Sequence, residues 1–352
     1  MFKKNMISID IGTYTTKIVI GKMKNKNIII DDAFMVSTPP ESYEDGQIKN
    51  LEVLKKVIHN ALITNKVKEK QMICTLQSTK TITRELILPY VKEDELESMV
   101  YFEIEQYLPI RLDEYAVEYK ILEEFEENDI KKLRVLVAAL PKEMVENHLK
   151  LINGLNLKPI ALDIHSNTNA KAFSNEITIN NEIYSLDKTI TLIDLGYEYI
   201  NITIIDKGII RFNRLIHQGG KDIDTNIANS FNLSLNDAEE RKMEHANLDA
   251  LNEDSTSITL LNESVKMTID MWIREIQRIF QYYTSRSREN RIDEIYLHGG
   301  SSNIQNVSKY IHANTNIPTF KIDKISNIQL IKMTEDINLE NYLNACTALI
   351  RR

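Results

Sequence analysis

Cysteine is nearly absent: only Cys74 and Cys346 occur, far apart and in no C-x-x-C pair. This excludes a disulfide framework or a zinc ribbon and fits a reducing compartment. The seven histidines are scattered, without H-E-x-x-H or paired ligand spacing, which argues against a metal held by His and Cys. No run of about 18 apolar residues exists, so no segment is expected to span a bilayer. Met1-Phe2-Lys3-Lys4-Asn5 leads into a strand-like run instead of an apolar signal core with a cleavage site, so no secretory signal is read. Long basic runs are missing too, and 43 Lys and Arg against 51 Asp and Glu leave a net charge of -8. A nucleic-acid backbone is therefore an unfavoured partner.

What is present is a globular composition, 43% hydrophobic and 27% charged over 352 residues. That length exceeds one ordinary core and predicts roughly two domains. Residues 8–20 line up with residues 192–204, and each segment reads as a β-rich run, a D-x-G turn and a second β-rich run. Asp10-Ile11-Gly12 and Asp194-Leu195-Gly196 are the two turns. A repeat this widely spaced predicts two related lobes, each opened by a hairpin, and not a solenoid of short repeats.

Between the hairpins an inserted α+β unit is expected. Leu96, Met99, Val100, Ile104, Tyr107 and Leu108 form a helical stripe that stops before Pro109. Strand-like runs at 115–125 and 133–140 flank the polar turn Glu126-Glu127-Asn128-Asp129, and Pro141 opens a helix carrying Val145, Leu149, Ile152 and Leu155. The insert thus reads as helix, hairpin, helix. Beyond the second hairpin, helices are expected at 223–231 and 234–243, and a loop at 252–257. Val265, Ile269, Trp272, Ile276, Phe280 and Tyr283 then mark a long helix with one buried face. A strand at 292–298 runs into Gly299-Gly300-Ser301-Ser302, a glycine pair where another group approaches the backbone.

A nucleoside triphosphate needs backbone N–H groups in a tight turn and carboxylates that hold a hydrated cation beside its phosphates. The first hairpin offers Asp10 as an outer-sphere metal anchor, Gly12 for close approach, amides and hydroxyls over Thr13, Tyr14, Thr15 and Thr16, and a positive charge at Lys17. One such turn carries little weight, because Asp and Gly are common turn residues. A second, with Asp194 and Gly196, can face the first across a cleft. Gly219-Gly220 enters a helix whose N-terminus suits an anion, while Glu239 and Lys242 share a helix face that can reach a ribose or base.

In this order, Asp10-x-Gly12, Asp194-x-Gly196, Gly219-Gly220, Glu239-x-x-Lys242 and Gly299-Gly300-Ser301-Ser302 resemble the actin-like ATPase superfamily over nearly the whole chain. The insert's position is similar to that in the FtsA and PilM families. Closer to the PilM family of type IV pilus assembly proteins are Ser37-Thr38-Pro39-Pro40, Asp45-Gly46-Gln47-Ile48-Lys49-Asn50, Glu103-Ile104-Glu105-Gln106-Tyr107-Leu108-Pro109, Val137-Ala138-Ala139 and Leu155-Asn156-Leu157-Lys158-Pro159 followed by Asp163. The resemblance implies an α/β, actin-like (RNase H-like, duplicated) two-lobed fold with an inserted α+β subdomain in the first lobe. Its implied boundaries are 1–83 for the first part of lobe one, 84–163 for the insert, 164–187 for a return to lobe one, 188–340 for lobe two and 341–352 for a last return.

Function also follows from the resemblance: a cytoplasmic scaffold that binds ATP with Mg²⁺ and docks the N-terminal tail of a PilN-like inner-membrane protein beside the insert. It would thus be peripheral to the membrane through that partner. Pilus motor ATPases and self-association are further contacts the resemblance allows. Asp10, Gly12 to Lys17, Asp194, Gly196, Gly219 and Gly220 would take phosphates and metal, with Mg²⁺ reached by Asp10 and Asp194 through water. Glu239, Lys242, Gly299, Gly300, Ser301 and Ser302 would take ribose and adenine. Tyr197-Glu198-Tyr199 after the second turn is bulky and partly anionic, which predicts slow or absent hydrolysis, and the sequence nominates no general base. The alternatives are a filament-forming FtsA- or MreB-like protein and a small-molecule kinase of the same superfamily. The final stretch from Asn344, rich in small residues, reads as a buried turn and not as a membrane helix.

Overall fold

The computed structural model describes residues 4–107, 111–249, 256–331 and 337–351. Isoleucine-rich runs build two sheets with the same wiring. In the first, the hairpin Met6–Ile11 and Thr15–Lys24 is extended by antiparallel Asn27–Ser37 on one side. On the other side, Gln71–Leu76 and Lys158–Ile164 add as parallel strands. In the second, the hairpin Thr189–Leu195 and Ile200–Asp206 is extended by antiparallel Ile209–Ile216 and by parallel Glu294–His298 and Thr319–Lys321. Met6–Ile11 and Thr189–Leu195 are buried along their whole length, as expected of central strands covered on both faces. The fold is the duplicated two-lobed α/β architecture that the paired D-x-G hairpins predict.

The first sheet has a sixth strand, Ile328–Leu330, which adds parallel to Asn27–Ser37. Residues 188–340 therefore do not all stay with the second lobe. The pairing buries Ile328 in a core shared with Ile28 and Ile30 of the first lobe. Two helices cross beneath the cleft between the sheets, His165–Ala172 and Leu339–Ala348. The second of them lies where sequence suggested only a turn. Its Ala345, Cys346, Thr347 and Ala348 are small and buried on every side, so no polar face is left to reveal a helical period.

The insert is a three-stranded antiparallel sheet in the order Ile82–Pro89, Ile130–Pro141, Tyr115–Glu127. The helix Glu93–Tyr107 packs Leu96, Val100 and Ile104 onto Leu88, Leu133, Val135 and Val137. Leu96, Met99, Val100 and Ile104 of the expected stripe thus pack inward, while Leu108 and Pro109 lie outside the described residues. Sequence reading missed the strand Ile82–Pro89, half of which is exposed. The helix Lys142–Gly154 and the strand Lys158–Ile164, expected inside the insert, pack and pair with the first lobe: Leu151 and Ile152 share a core with Ile9 and Leu54.

In the second lobe the helices Gly220–Phe231, Leu235–His245 and Thr256–Ser285 cover the sheet. Val265, Ile269, Trp272, Ile276, Phe280 and Tyr283 form the buried stripe of the longest helix, as their spacing predicts. Of the expected loop at 252–257, residues 252–255 lie outside the described residues, and the long helix begins at Thr256.

Candidate functional site

Both hairpins close by one device. Gly12 N–H donates to Thr15 O at 3.0 Å, and Gly196 N–H donates to Tyr199 O at 3.1 Å. A side chain at either glycine would run into the same carbonyl, since a Cβ would sit 2.8 Å from Thr15 O or 2.6 Å from Tyr199 O. The turns face each other across a cavity of about 770 Å³ between the lobes. Asp10, Gly12, Thr13, Tyr14, Thr15, Lys17, Asp194, Gly196, Gly220, Glu239, Lys242, Gly299, Gly300 and Ser301 all line it. Residues from five separate stretches of sequence are thereby brought together.

Three predicted site residues stand behind the wall instead. Thr16 is buried with its hydroxyl 2.8 Å from that of Thr38. Ser302 turns its hydroxyl back to Gly299 O at 2.6 Å. Gly219 packs so tightly on the second hairpin that a Cβ would lie 2.3 Å from Tyr197 O. The amides of the next two residues are also committed, Gly220 N–H to Gly196 O and Lys221 N–H to Tyr197 O, at 3.0 and 2.9 Å. The first turn of this helix therefore anchors the second hairpin and does not present free donors to an anion. Thr38 serves the first hairpin in the same way, donating from N–H to Tyr14 O and from its hydroxyl to Gly12 O.

At the cleft floor the two carboxylates join one buried network. Asp10 Oδ1 lies 3.0 Å from His165 Nε2, and Asn344 Nδ2 donates to Asp194 at 2.9 Å and more weakly to Asp10 at 3.4 Å. Lys17 Nζ stands 4.0 Å from Asp10, its partner across the hairpin ladder. Burial by itself would push the Asp10 carboxyl up. The charges of His165 and Lys17 and the bonds from His165 and Asn344 outweigh it and bring the group down to about 2. Asp10 is thus an anion at neutral pH, which makes His165 Nε2 the donor. His298 stands 3.9 Å from Asp194, and burial holds its imidazole below the ordinary histidine range. Gly299 has φ +86°, and a Cβ there would meet Asp194 Oδ1 at 2.2 Å, so only glycine fits beside this carboxylate.

Further out, Lys242 Nζ is paired with Asp224 at 2.6 Å, and Glu239 accepts a hydrogen bond from Tyr14 OH at 2.7 Å. Glu198 is paired with Lys221 at 2.8 Å, which offsets the negative charge expected beside the second turn. His165, His298, Asn344 and Asp224 were missed in the sequence. His165 opens one of the two crossing helices and Asn344 lies in the middle of the other, and a single His or Asn has no local pattern that would single it out.

This topology, two like-wired sheets meeting at paired D-x-G turns, defines the actin-like ATPase fold. Three solved structures are similar over nearly their full lengths. A PilM–PilN type IV pilus biogenesis complex gives a TM-score of 0.81 at 19% identity, over 98% of this chain and 97% of that chain. The ethanolamine utilization protein EutJ from Carboxydothermus hydrogenoformans gives 0.56 at 11% identity, over 99% and 90%. A double helical filament of MamK gives 0.55 at 9% identity, over 99% and 98%. The family pattern of the type IV pilus assembly protein PilM matches residues 8–350, and the chain belongs to that family.

Proposed function

We propose that the cleft binds Mg²⁺–ATP and that the protein is a type IV pilus assembly scaffold docking the cytoplasmic tail of a PilN-like membrane protein. The observation that carries the nucleotide is the pair of matching hairpins on opposite walls of one cavity, each ending a buried strand at an aspartate. Asp10 and Asp194 are acceptors for the water shell of a divalent cation, and His165 Nδ1, buried and without a hydrogen-bond partner, faces Asp194 at 4.0 Å. Among the described residues no three His, Cys, Asp or Glu side chains converge as direct ligands. That suits Mg²⁺, which gives up its water reluctantly and is held by one or two carboxylates together with phosphates. When bound, the cation would neutralise phosphate charge.

The chain's own residues do the remaining work. In the first hairpin Thr13 and Tyr14 offer amides and Lys17 an ammonium to the phosphates, and Gly12 lets the turn approach; Gly196 lets the second hairpin approach; Gly300 and Ser301 border the base side, and Glu239 and Lys242 the ribose side. Tyr197 and Tyr199 narrow the phosphate end, so hydrolysis is slow. Isothermal titration with Mg²⁺–ATP tests the reading: the unchanged protein binds, and Asp10→Ala and Asp194→Ala each lose at least tenfold in affinity. Equal binding by all three proteins would refute this site.

The partner reading rests on a second cavity, of about 430 Å³, between the insert and the first lobe. Two sheet edges border it, the strands Tyr115–Glu127 and Lys158–Ile164, and Leu136, Leu149 and Ile152 supply an apolar floor. An extended peptide can pair with such an edge while its side chains fill the floor. No helix among the described residues is long and apolar enough to cross a membrane; in this reading the PilN-like partner holds the protein at the membrane. A fluorescent tail peptide of a PilN-like protein is expected to bind, and Leu149→Asp to weaken it at least tenfold. Unchanged affinity would move the peptide elsewhere.

A further inference from the structure

The nucleotide reading leaves one contact unexplained. Tyr14, from the first hairpin, crosses the cleft and stacks on Tyr197 of the second, with ring centroids 4.5 Å apart and planes inclined by 28°. Its hydroxyl then continues to Glu239 at 2.7 Å. The two rings come from the two turns that would flank a phosphate chain, and the carboxylate is one that would face a ribose. Tyr14 nevertheless keeps 42% of its surface exposed, so the stack is a bridge across an open mouth and not part of either lobe's core. Neither ring is needed for folding of its own hairpin, whose closing bonds run through backbone atoms of residues 12 and 15 or 196 and 199.

We propose that Tyr14, Tyr197 and Glu239 form a latch that closes the nucleotide cleft from within, so that nucleotide and latch compete for the same space. This deepens the nucleotide reading and rests on it. A phosphate chain lying between the turns displaces the Tyr14 ring from Tyr197, and a ribose hydroxyl replaces the Tyr14 hydroxyl on Glu239. The hydrogen bond is replaced in kind while the stack is lost, so the latch lowers nucleotide affinity by about the strength of one aromatic pair. The apparent affinity falls in proportion to the fraction of molecules whose latch is open. An aromatic pair corresponds to roughly two- to twelvefold in a binding constant.

Two measurements test this. In the first, Mg²⁺–ATP is titrated into the unchanged protein, Tyr14→Ala, Tyr197→Ala and Tyr14→Phe. Both alanine variants are expected to bind about fivefold more tightly, and Tyr14→Phe, which keeps the stack, by less than twofold. Weaker binding by Tyr14→Ala would overturn the latch, because the ring would then be a contact to the nucleotide. Equal binding would overturn it as well. In the second, the double variant Tyr14→Cys with Tyr197→Cys is treated with a short bis-maleimide. Native Cys74 and Cys346 are buried, so they do not compete for the reagent. Rapid internal cross-linking that Mg²⁺–ATP slows is the expected result. Cross-linking unaffected by nucleotide, in a protein whose titration shows binding, overturns the competition and leaves the nucleotide reading standing. If neither the unchanged protein nor Tyr14→Ala binds Mg²⁺–ATP, the nucleotide reading fails and the latch fails with it, whatever the cross-linking shows.

Discussion

The two hairpins share a turn and a sheet topology, yet different things hold them. The second is clamped by a whole helix, which spends its first amides on Gly196 and Tyr197 and adds the pair between Lys221 and Glu198. One residue, Thr38, fastens the first, through its N–H and hydroxyl. Both clamps grip turn carbonyls, Gly12 O and Tyr14 O in the first hairpin and Gly196 O and Tyr197 O in the second, but the second turn has a whole helix behind it as a fixed wall. The duplicated fold has thus kept one turn geometry and divided its support differently between the two copies.

The strongest test of this division is at the fixed wall. Gly299→Ala places a Cβ on Asp194 in a backbone conformation that L-residues avoid, and a loss of about 3 kcal/mol or more is expected in chemical denaturation. Gly300→Ala next to it meets no atom within 4 Å and should change stability by less than about 0.5 kcal/mol. If both variants behave alike, Gly299 does not brace the second hairpin. Asn344→Leu, which takes the shared amide from both aspartates, is expected to cost about 2–3 kcal/mol, read as a lowered thermal midpoint. Thr38→Val should loosen only the first hairpin, at about 1 kcal/mol, with faster amide exchange around Tyr14 and none of this at Tyr197.

A pH effect arises away from the cleft and gives a control for both hairpins. His148 is buried, and burial outweighs its bond to Met144 O and holds the imidazole at about 4, below the 6.5 of an exposed histidine. The unfolded chain therefore binds this proton first as pH falls. Stability is fully present above pH 6.5 and is lost progressively down to about pH 4. At 1.36 kcal/mol per pH unit the upper limit is about 3 kcal/mol, and His148→Leu should flatten the stability profile in that window. An unchanged slope would assign the acid sensitivity to other groups. A smaller loss is expected at Arg211, which ties the second lobe to Glu123 of the insert at 3.1 Å. Arg211→Ala should cost about 0.5–1 kcal/mol, because the pair is partly solvated.

The sequence carried the hairpins, the glycine landmarks and the long helix, because each is written in neighbouring residues: a D-x-G between β-branched runs, or an apolar residue every third or fourth position. The contacts that decide what those landmarks do are written across the chain. Lys242 shares a helix face with Glu239, and nothing beside it in sequence announces its ion pair with Asp224. Tyr197 looked like a lone obstacle, since nothing near it in sequence announces Tyr14 as its partner. Ile82–Pro89 escaped notice because Arg84 and Glu85 interrupt its apolar alternation, although it pairs with Ile130–Pro141 along its full length. His165 and Asn344 complete the floor of the cleft only because two helices distant in sequence cross beneath it.

The strand Ile328–Leu330 and the helix Leu339–Ala348 also set an order of events during synthesis. The sheet of the second lobe is drawn from one continuous stretch, Thr189 to Lys321. That of the first begins at Met6 and gains its last strand only at Ile328, and its core waits for Leu343, Ala345 and Leu349. Chains emerge from the ribosome N-terminus first, and domains fold as units. The lobe made first is therefore finished last: its half-built sheet must be kept from sticking to others while the second lobe folds, and the cleft comes into being only at the final step.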